Sequence, residues 1–123
     1  MPSDAPCPSR VFIIEDDPAV RDALSLLIEG QGVEVVSFAD GQHFLDSASP
    51  KPGDVVLLDL LLPKVDGYQV AAALRERSVD CRLILISAER ASAFDAAVQA
   101  IKPEAAFRKP LTTTQLLEAI GTL

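Results

Sequence analysis

The sequence has no tryptophan, one histidine and two cysteines. A Ser-His-Asp triad, a zinc site or a phosphohistidine carrier would each depend on His43, which lies in a polar stretch, so the sequence argues against all three. Cys7 and Cys81 form neither a CxxC motif nor a metal-type spacing, which argues against a redox pair. Thiols used in this way fit a reducing cytoplasm best.

Long apolar runs are also missing. No stretch approaches the roughly 18 apolar residues of a membrane-spanning helix, and residues 1–10 are rich in Pro and Ser without the apolar segment of a signal peptide. Neither a membrane span nor a signal peptide is therefore predicted. Residues 1–9 are expected to be a disordered tail. Residues 10–123 are expected to form one domain, since 49% hydrophobic content over 123 residues supports a single core.

Positive charge is scarce, with 11 Lys and Arg against 18 Asp and Glu and a formal charge of −7. This balance argues against direct binding to nucleic acid or to an anionic membrane. The sequence also contains no GxxxxGK[ST] phosphate-binding loop. Where a dinucleotide-binding fold would have GxGxxG, directly after the first predicted strand, this chain has acidic residues.

Apolar runs alternate with helical stripes along the whole chain. The predicted strands are residues 11–14, 33–38, 55–58, 82–86 and 105–107. Between and after them, apolar residues recur at helical spacing, and N-cap signals occur at Asp17-Pro18, at Asp40 and in the capping box from Thr112 to Gln115. Gly30 is predicted to end the first helix. Five βα units indicate an α/β fold with a parallel sheet and helices on both faces.

Polar residues lie at the carboxyl ends of four of these strands. Glu15, Asp16 and Asp17 come after the first, Asp59 after the third, Ser87 after the fourth, and Lys109 shortly after the fifth. In open α/β sheets the carboxyl ends of the strands form the ligand-binding edge. Clustered carboxylates need a cation between them, and an oxygen-only set suits Mg²⁺. The pattern therefore indicates a metal-dependent phosphoryl site.

This ordered set, with Pro63, Gly67, Ala88 and Pro110 at their places, resembles the receiver domain of two-component response regulators over residues 10 to 123. The resemblance implies a flavodoxin-like, doubly wound, five-stranded sheet of order 2-1-3-4-5 with five helices in a single domain. It also implies a regulatory phosphoacceptor that catalyses only its own phosphorylation and dephosphorylation.

Each site residue takes its expected role from the resemblance. Asp59 is expected to accept the phosphoryl group and to bind Mg²⁺. Asp16 is expected to be the direct metal ligand and Glu15 its indirect or water-mediated companion, and the backbone carbonyl of Leu61 completes the set. For Asp17 two roles remain open: it caps the first helix, or it contacts the metal. The two roles are compatible with each other.

Two further groups are expected to contact the phosphoryl oxygens. Lys109, ahead of a Lys109-Pro110 bond that is typically cis in this family, resembles the lysine that binds a phosphoryl oxygen. Ser87 resembles the switch hydroxyl that donates to the phosphoryl group.

Three departures from the family pattern bear on signalling. Ala106 stands where receivers usually carry an aromatic residue, and Phe107 points to the other face by strand alternation. Residues 101–103, Ile-Lys-Pro, replace the usual Ala-Gly at the end of helix four, and Leu61 takes a position that is often polar.

Two functions follow from this pattern. The first is a phosphorelay receiver that takes its phosphoryl group from a histidine kinase or a histidine phosphotransfer protein. It would signal to a downstream protein or a fused output domain through the face made by helix four, strand five and helix five. The same face is a candidate surface for a homodimer. The alternative is a pseudo-receiver, an interaction module with impaired switching.

Overall fold

The structure, a computed structural model, describes residues 10–62 and 65–121. Ten elements alternate along the chain: β1 Arg10–Ile14, α1 Pro18–Glu29, β2 Glu34–Phe38, α2 Gly41–Ser47, β3 Val55–Asp59, α3 Gly67–Glu76, β4 Arg82–Ser87, α4 Ala91–Ile101, β5 Ala105–Arg108 and α5 Thr113–Ile120. The strands match the predicted ones to within one residue at each end. The disordered tail predicted for residues 1–9, like Pro63, lies outside the described residues.

All five strands pair in parallel in the order β2-β1-β3-β4-β5, which confirms the expected topology. The register aligns Ile14 with Leu58, and Asp59 with Ile86 on the neighbouring strand. The carboxyl ends of β1, β3 and β4 therefore lie side by side. The residues that follow these strands meet at one edge of the sheet.

Strand alternation divides the core into two layers. Phe12 and Ile14 pack into the layer on one face of the sheet, whereas Val11 and Ile13 pack into the layer on the other. Every residue of β3 is buried, because helices cover both faces of a central parallel strand. In β5 the same alternation sends Ala106 to the first layer and Phe107 to the second.

The helices begin where the sequence places their caps. The side chains of Asp17, Asp40 and Thr112 each accept hydrogen bonds from backbone N–H groups in the first turn of α1, α2 and α5. Asp66 and Gln69 add a capping box to α3 that the sequence analysis did not identify. No helix in the described part of the chain is long and apolar enough to cross a membrane.

As the sequence predicts, α1 ends at Glu29 and Gly30 is its C-cap. Gly30 follows α1 with an ordinary right-handed φ of −61°, and the left-handed glycine of this turn is Gly32, with φ of 81°. At the end of α4, Lys102 adopts a left-handed φ of 53°. This lysine supplies the conformation for which helix ends usually use glycine, and Pro103 follows it.

The histidine and the second cysteine of the sequence, His43 and Cys81, lie away from the acidic edge. His43 is an exposed residue of α2, and its ring packs edge-on against Phe38. Cys81 is half-buried just before β4, where burial, followed by the charges of Asp54 and Asp80, raises the pKa of its thiol to about 11. A thiol with such a pKa is protonated at neutral pH and reacts slowly.

Candidate functional site

Asp59 is the last residue of β3 and is 5% exposed. Its Oδ1 accepts a hydrogen bond of 3.1 Å from the backbone N–H of Leu61. The next turn approaches closely, because the N–H of Gly67 donates to the carbonyl of Leu60 at 3.0 Å. A Cβ at Gly67 would lie 2.8 Å from the Cα of Leu60. Only glycine fits there, so Gly67 helps to fix the turn that follows Asp59.

Lys109 joins two buried acids. Its Nζ donates to Oδ2 of Asp59 at 3.0 Å and to Oε1 of Glu15 at 2.6 Å. The Glu15 side chain is 1% exposed, and its second oxygen, Oε2, accepts a hydrogen bond of 3.3 Å from the N–H of Asp17. The predicted cis peptide bond between Lys109 and Pro110 is present.

The ion pairs change how firmly Lys109 holds its proton. Partial burial lowers the pKa of its ammonium, but the hydrogen bonds and negative charges of Glu15 and Asp59 outweigh this effect and raise the pKa above its ordinary value. Lys109 is therefore fully charged at neutral pH. It neutralises part of the charge of the acids around it.

Asp16 completes the acidic cluster and is exposed. Carboxylate oxygens of Glu15, Asp16 and Asp59 all lie within 4.8 Å of one another. Asp16 also lines a groove of about 480 Å³ at the sheet edge. The groove is bordered by Asp16, Leu60, Leu61, Leu62, Asp66, Tyr68, Glu89 and Ala93.

The role left open for Asp17 is resolved in part. Its Oδ1 accepts from the N–H of Ala19 at 2.9 Å and from that of Val20 at 3.4 Å, so it caps α1. Within the described residues, the acidic cluster contains Glu15, Asp16 and Asp59 and leaves Asp17 out. The capping role is therefore the one that the structure supports.

The oxygen-only cluster fits Mg²⁺ chemically. Three carboxylates face one ammonium, so the cluster has an excess of negative charge that a hard cation would relieve. Both oxygens of Glu15 already accept hydrogen bonds, one from Lys109 and one from Asp17. Both oxygens of Asp59 accept hydrogen bonds as well, from Leu61 and Lys109, so the exposed Asp16 is the acid best placed to contact an ion directly.

Ser87 ends β4, is fully buried, and contacts two other parts of the site edge. Its Oγ accepts a hydrogen bond of 3.0 Å from the N–H of Glu89, and its carbonyl accepts one of 2.8 Å from the N–H of Lys109. Arg108, the last residue of β5, donates from Nε to the carbonyl of Glu89 at 3.3 Å. The loop between β4 and α4 is thus attached both to Ser87 and to β5.

Two contributors to the site were missed from the sequence. Glu89 borders the same groove as Asp16. Arg21 donates from Nη1 to the backbone carbonyl of Glu15 at 2.9 Å. Neither has a sequence signal of its own, because a charged residue on a helix or in a loop is usually solvated. The contact of Arg21 depends on how α1 folds back beside β1.

This arrangement agrees with the comparison to known families. The sequence model of the response regulator receiver domain family matches residues 11–121. The chain belongs to this family.

The relatives of this receiver domain include regulators that are longer than the chain. Response regulator MprA of Mycolicibacterium vanbaalenii is 30% identical over 121 residues, covering 94% of this chain and 50% of that protein. The "DNA-binding dual master transcriptional regulator RpaA" of Synechocystis is 40% identical over 81 residues, covering 64% of this chain and 34% of that protein. The receiver domain spans half or less of the length of these relatives.

Solved structures share the fold at low sequence identity. The structure of FixJ-N superposes with a TM-score of 0.81 at 24% identity, covering 92% of this chain and 90% of that one. The response regulator TrrA of Thermotoga maritima, solved in complex with Mg²⁺ and BeF, superposes with a TM-score of 0.77 at 24% identity, covering 94% of this chain and 99% of that one.

Proposed function

We propose that this receiver domain accepts a phosphoryl group onto Asp59 from a histidine kinase or a histidine phosphotransfer protein, in a Mg²⁺-dependent reaction. The observation that carries the proposal is the position of Lys109, whose Nζ lies 3.0 Å from Asp59 and 2.6 Å from Glu15. The Asp16 carboxylate lies within 4.8 Å of both acids. A nucleophile, a phosphate-binding cation and the acids for a metal ion therefore share one site.

The transfer needs little chemistry from the protein beyond positioning. One oxygen of the Asp59 carboxylate attacks the phosphorus atom, and the bond from phosphorus to the donor's imidazole nitrogen breaks. The electron pair of that bond returns to the nitrogen, while the proton on the other ring nitrogen keeps the leaving imidazole neutral. The product on the receiver is an acyl phosphate. Because the reaction modifies only its own aspartate, the domain is regulatory.

Side chains of the site have separate tasks in this step. Mg²⁺, when bound, offsets the repulsion between the carboxylate and the incoming phosphoryl oxygens. Asp16, Asp59 and the carbonyl of Leu61 would hold it directly, and Glu15 would act through water. Lys109 is placed to exchange its contact with Asp59 for one with a phosphoryl oxygen. A protein of the same fold, TrrA, was solved in complex with Mg²⁺ and BeF, which supports a role for Mg²⁺ in this reaction.

The metal assignment predicts the effect of changing Asp16 to Asn. Mg²⁺ should bind the native protein weakly, with a Kd on the order of 1 mM as for open oxygen sites that retain water, and should raise its melting temperature. Asp16→Asn should abolish that rise, because an exposed ligand is lost while the core is untouched. Thermal unfolding with and without Mg²⁺ measures both effects. If Mg²⁺ changes neither the melting temperature of the native protein nor the NMR shifts of the amides at the site, the assignment is wrong.

Ser87 is proposed to carry the signal from Asp59 to the surface. A hydroxyl can accept one bond while donating another, so Ser87 can keep its contact with Glu89 and donate to a phosphoryl oxygen. Movement of Ser87 would then pull on the loop to α4 and, through the contact of Arg108 with Glu89, on β5. A downstream protein or a fused output domain would bind the face of α4, β5 and α5. A homodimer would use the same face.

A phosphoryl mimic tests this signalling path. With Mg²⁺ and beryllofluoride, amide shifts should spread from Asp59 and Ser87 into α4, β5 and α5, while β2 on the far edge remains unchanged. Because β5 carries alanine at position 106, with no aromatic ring to rotate there, we expect a modest population shift, with a coupling of about 1–3 kcal/mol. Shifts confined to the metal-binding turns would favour the pseudo-receiver over a switching receiver.

Phosphorylation itself is tested without knowing the kinase. Acetyl phosphate and Mg²⁺ should add the mass of one phosphoryl group, and peptide mapping should place it on Asp59. The modification should be lost under mild alkaline treatment, as expected of an acyl phosphate. If the protein binds beryllofluoride but shows no mass shift with acetyl phosphate, the domain binds a phosphoryl mimic but does not accept a phosphoryl group.

A further inference from the structure

Arg21 lies in α1 on the side of the acidic cluster, and its guanidinium reaches back to the turn that carries Asp16. We propose that Arg21 is a positioning residue for Asp16, holding the turn between β1 and α1 so that the Asp16 carboxylate faces Asp59. The inference rests on the proposed Mg²⁺ site. It adds a residue that neither the sequence pattern nor the acidic cluster contains.

The peptide group before Asp16 is held by Arg21. Its Nη1 donates to the carbonyl oxygen of Glu15 at 2.9 Å in a partly buried contact. The N–H of Glu15 donates to the carbonyl of Phe38 on β2 at 3.1 Å. Glu15 is therefore fixed to the sheet on one side and to α1 on the other. The bond from Arg21 is the one that α1 contributes.

The peptide group after Asp16 is held as well. The N–H of Asp17 donates to Oε2 of Glu15 at 3.3 Å, and the Asp17 side chain caps the first turn of α1. Peptide groups are planar, so the two flanking planes leave only φ and ψ of Asp16 to set the direction of its Cα–Cβ bond, from which the side-chain rotamer carries the carboxylate. With both planes held, the direction of the Cα–Cβ bond of Asp16 is set.

Asp16 needs this restraint because it is exposed and negatively charged. Its neighbours Glu15 and Asp59 are also acidic, and without a bound cation their charges favour a turn in which Asp16 swings into solvent. The guanidinium prevents this by holding the carbonyl that precedes Asp16. Groups that orient metal ligands in this way commonly change metal affinity by 10- to 100-fold when they are removed.

The positive charge of Arg21 weakens Mg²⁺ binding, whereas its positioning of Asp16 strengthens it. The two effects therefore have opposite signs and can be separated. A cation near the cluster repels Mg²⁺, so if Arg21 acted by charge alone, its removal would tighten metal binding. If Arg21 positions Asp16, its removal weakens binding. The sign of the change in Mg²⁺ affinity therefore decides between a positioning residue and a merely charged neighbour.

The test compares three variants by titration with Mg²⁺ followed by amide NMR shifts. Arg21→Met keeps the length of the side chain but removes the donor and the charge, and we expect its Kd for Mg²⁺ to rise about tenfold. Arg21→Lys can still donate one hydrogen bond and should recover part of the affinity. Arg77→Met is the matched control, since Nη1 of Arg77, the residue that follows α3, donates to the carbonyl of Leu45 in α2 at 2.8 Å. Its Kd should equal that of the native protein.

A second measurement is made without metal. Hydrogen exchange at the Asp17 amide should be faster in Arg21→Met than in the native protein and unchanged in Arg77→Met, with similar melting temperatures for the two variants. An unchanged or lower Kd in Arg21→Met, or unchanged exchange at Asp17, would overturn the proposal. If the native protein itself does not respond to Mg²⁺, the proposed metal site fails, whereas a native response that Arg21→Met retains refutes only the role of Arg21.

Discussion

Replacing Asp59 with Asn is expected to abolish phosphorylation by acetyl phosphate and Mg²⁺ completely. The amide is not a nucleophile towards phosphorus, and no second carboxylate of the cluster takes the place of Asp59 at the end of β3. The fold should survive, with stability changed by less than about 1 kcal/mol, because Lys109 keeps its partner Glu15 and the cluster loses one of its repelling charges. Intact mass and thermal unfolding of the same sample report both results.

Asp40→Asn is the matched control for this substitution. Asp40 caps α2 away from the site, and Asn is an equally good cap, so this variant should keep both phosphorylation and stability. Phosphate found on Ser87 or His43, with Asp59 dispensable, would contradict the mechanism. Loss of phosphorylation in both variants would mean that the reaction reports folding and not the nucleophile.

Replacing Lys109 with Ala is expected to lower stability and to uncouple phosphorylation from the output face. Removal of the ammonium leaves Glu15 and Asp59 buried side by side without their shared cation. A fully buried pair would cost about 3–5 kcal/mol when broken, but Lys109 is 24% exposed, so we expect about 1–3 kcal/mol. Phosphorylation of Asp59 should be slowed but retained, and the beryllofluoride shifts in α4, β5 and α5 should disappear.

Two conditions should reduce the stability difference caused by Lys109→Ala. Mg²⁺ supplies positive charge to the same acids, so the deficit should shrink when it is added. The pKa of Lys109 is raised in the folded protein above its ordinary value of 10.5. The contribution of Lys109 to folding stability is therefore complete below pH 10.5 and is lost as the pH rises through the raised pKa. Lys51→Ala, at an exposed residue before β3, is the control. A deficit that is insensitive to both Mg²⁺ and alkaline pH would show that Lys109 acts through packing.

Local patterns in the sequence were sufficient for the elements of the fold. Helix caps at Asp17, Asp40 and Thr112 are local, because the capping side chain and the N–H groups it satisfies lie within three residues of each other. Strand alternation correctly sends Ala106 and Phe107 to opposite faces. The left-handed Lys102 was not predicted, since the conformation is usual for glycine, and its carbonyl is held by Arg75 from α3 at 3.1 Å.

The sequence by itself determined that polar residues follow four apolar strands, and the parallel sheet then brings these residues to one edge. Which atoms meet there depends on packing across the whole chain. Lys109 contacts Glu15 and Asp59 across 94 and 50 residues. Arg21 reaches Glu15 only because α1 folds back along β1. Sequence periodicity indicates the environment of each residue and of its neighbours within a turn, whereas strand order and helix packing set which distant side chains pair. Only the tertiary structure therefore decided how the site is assembled.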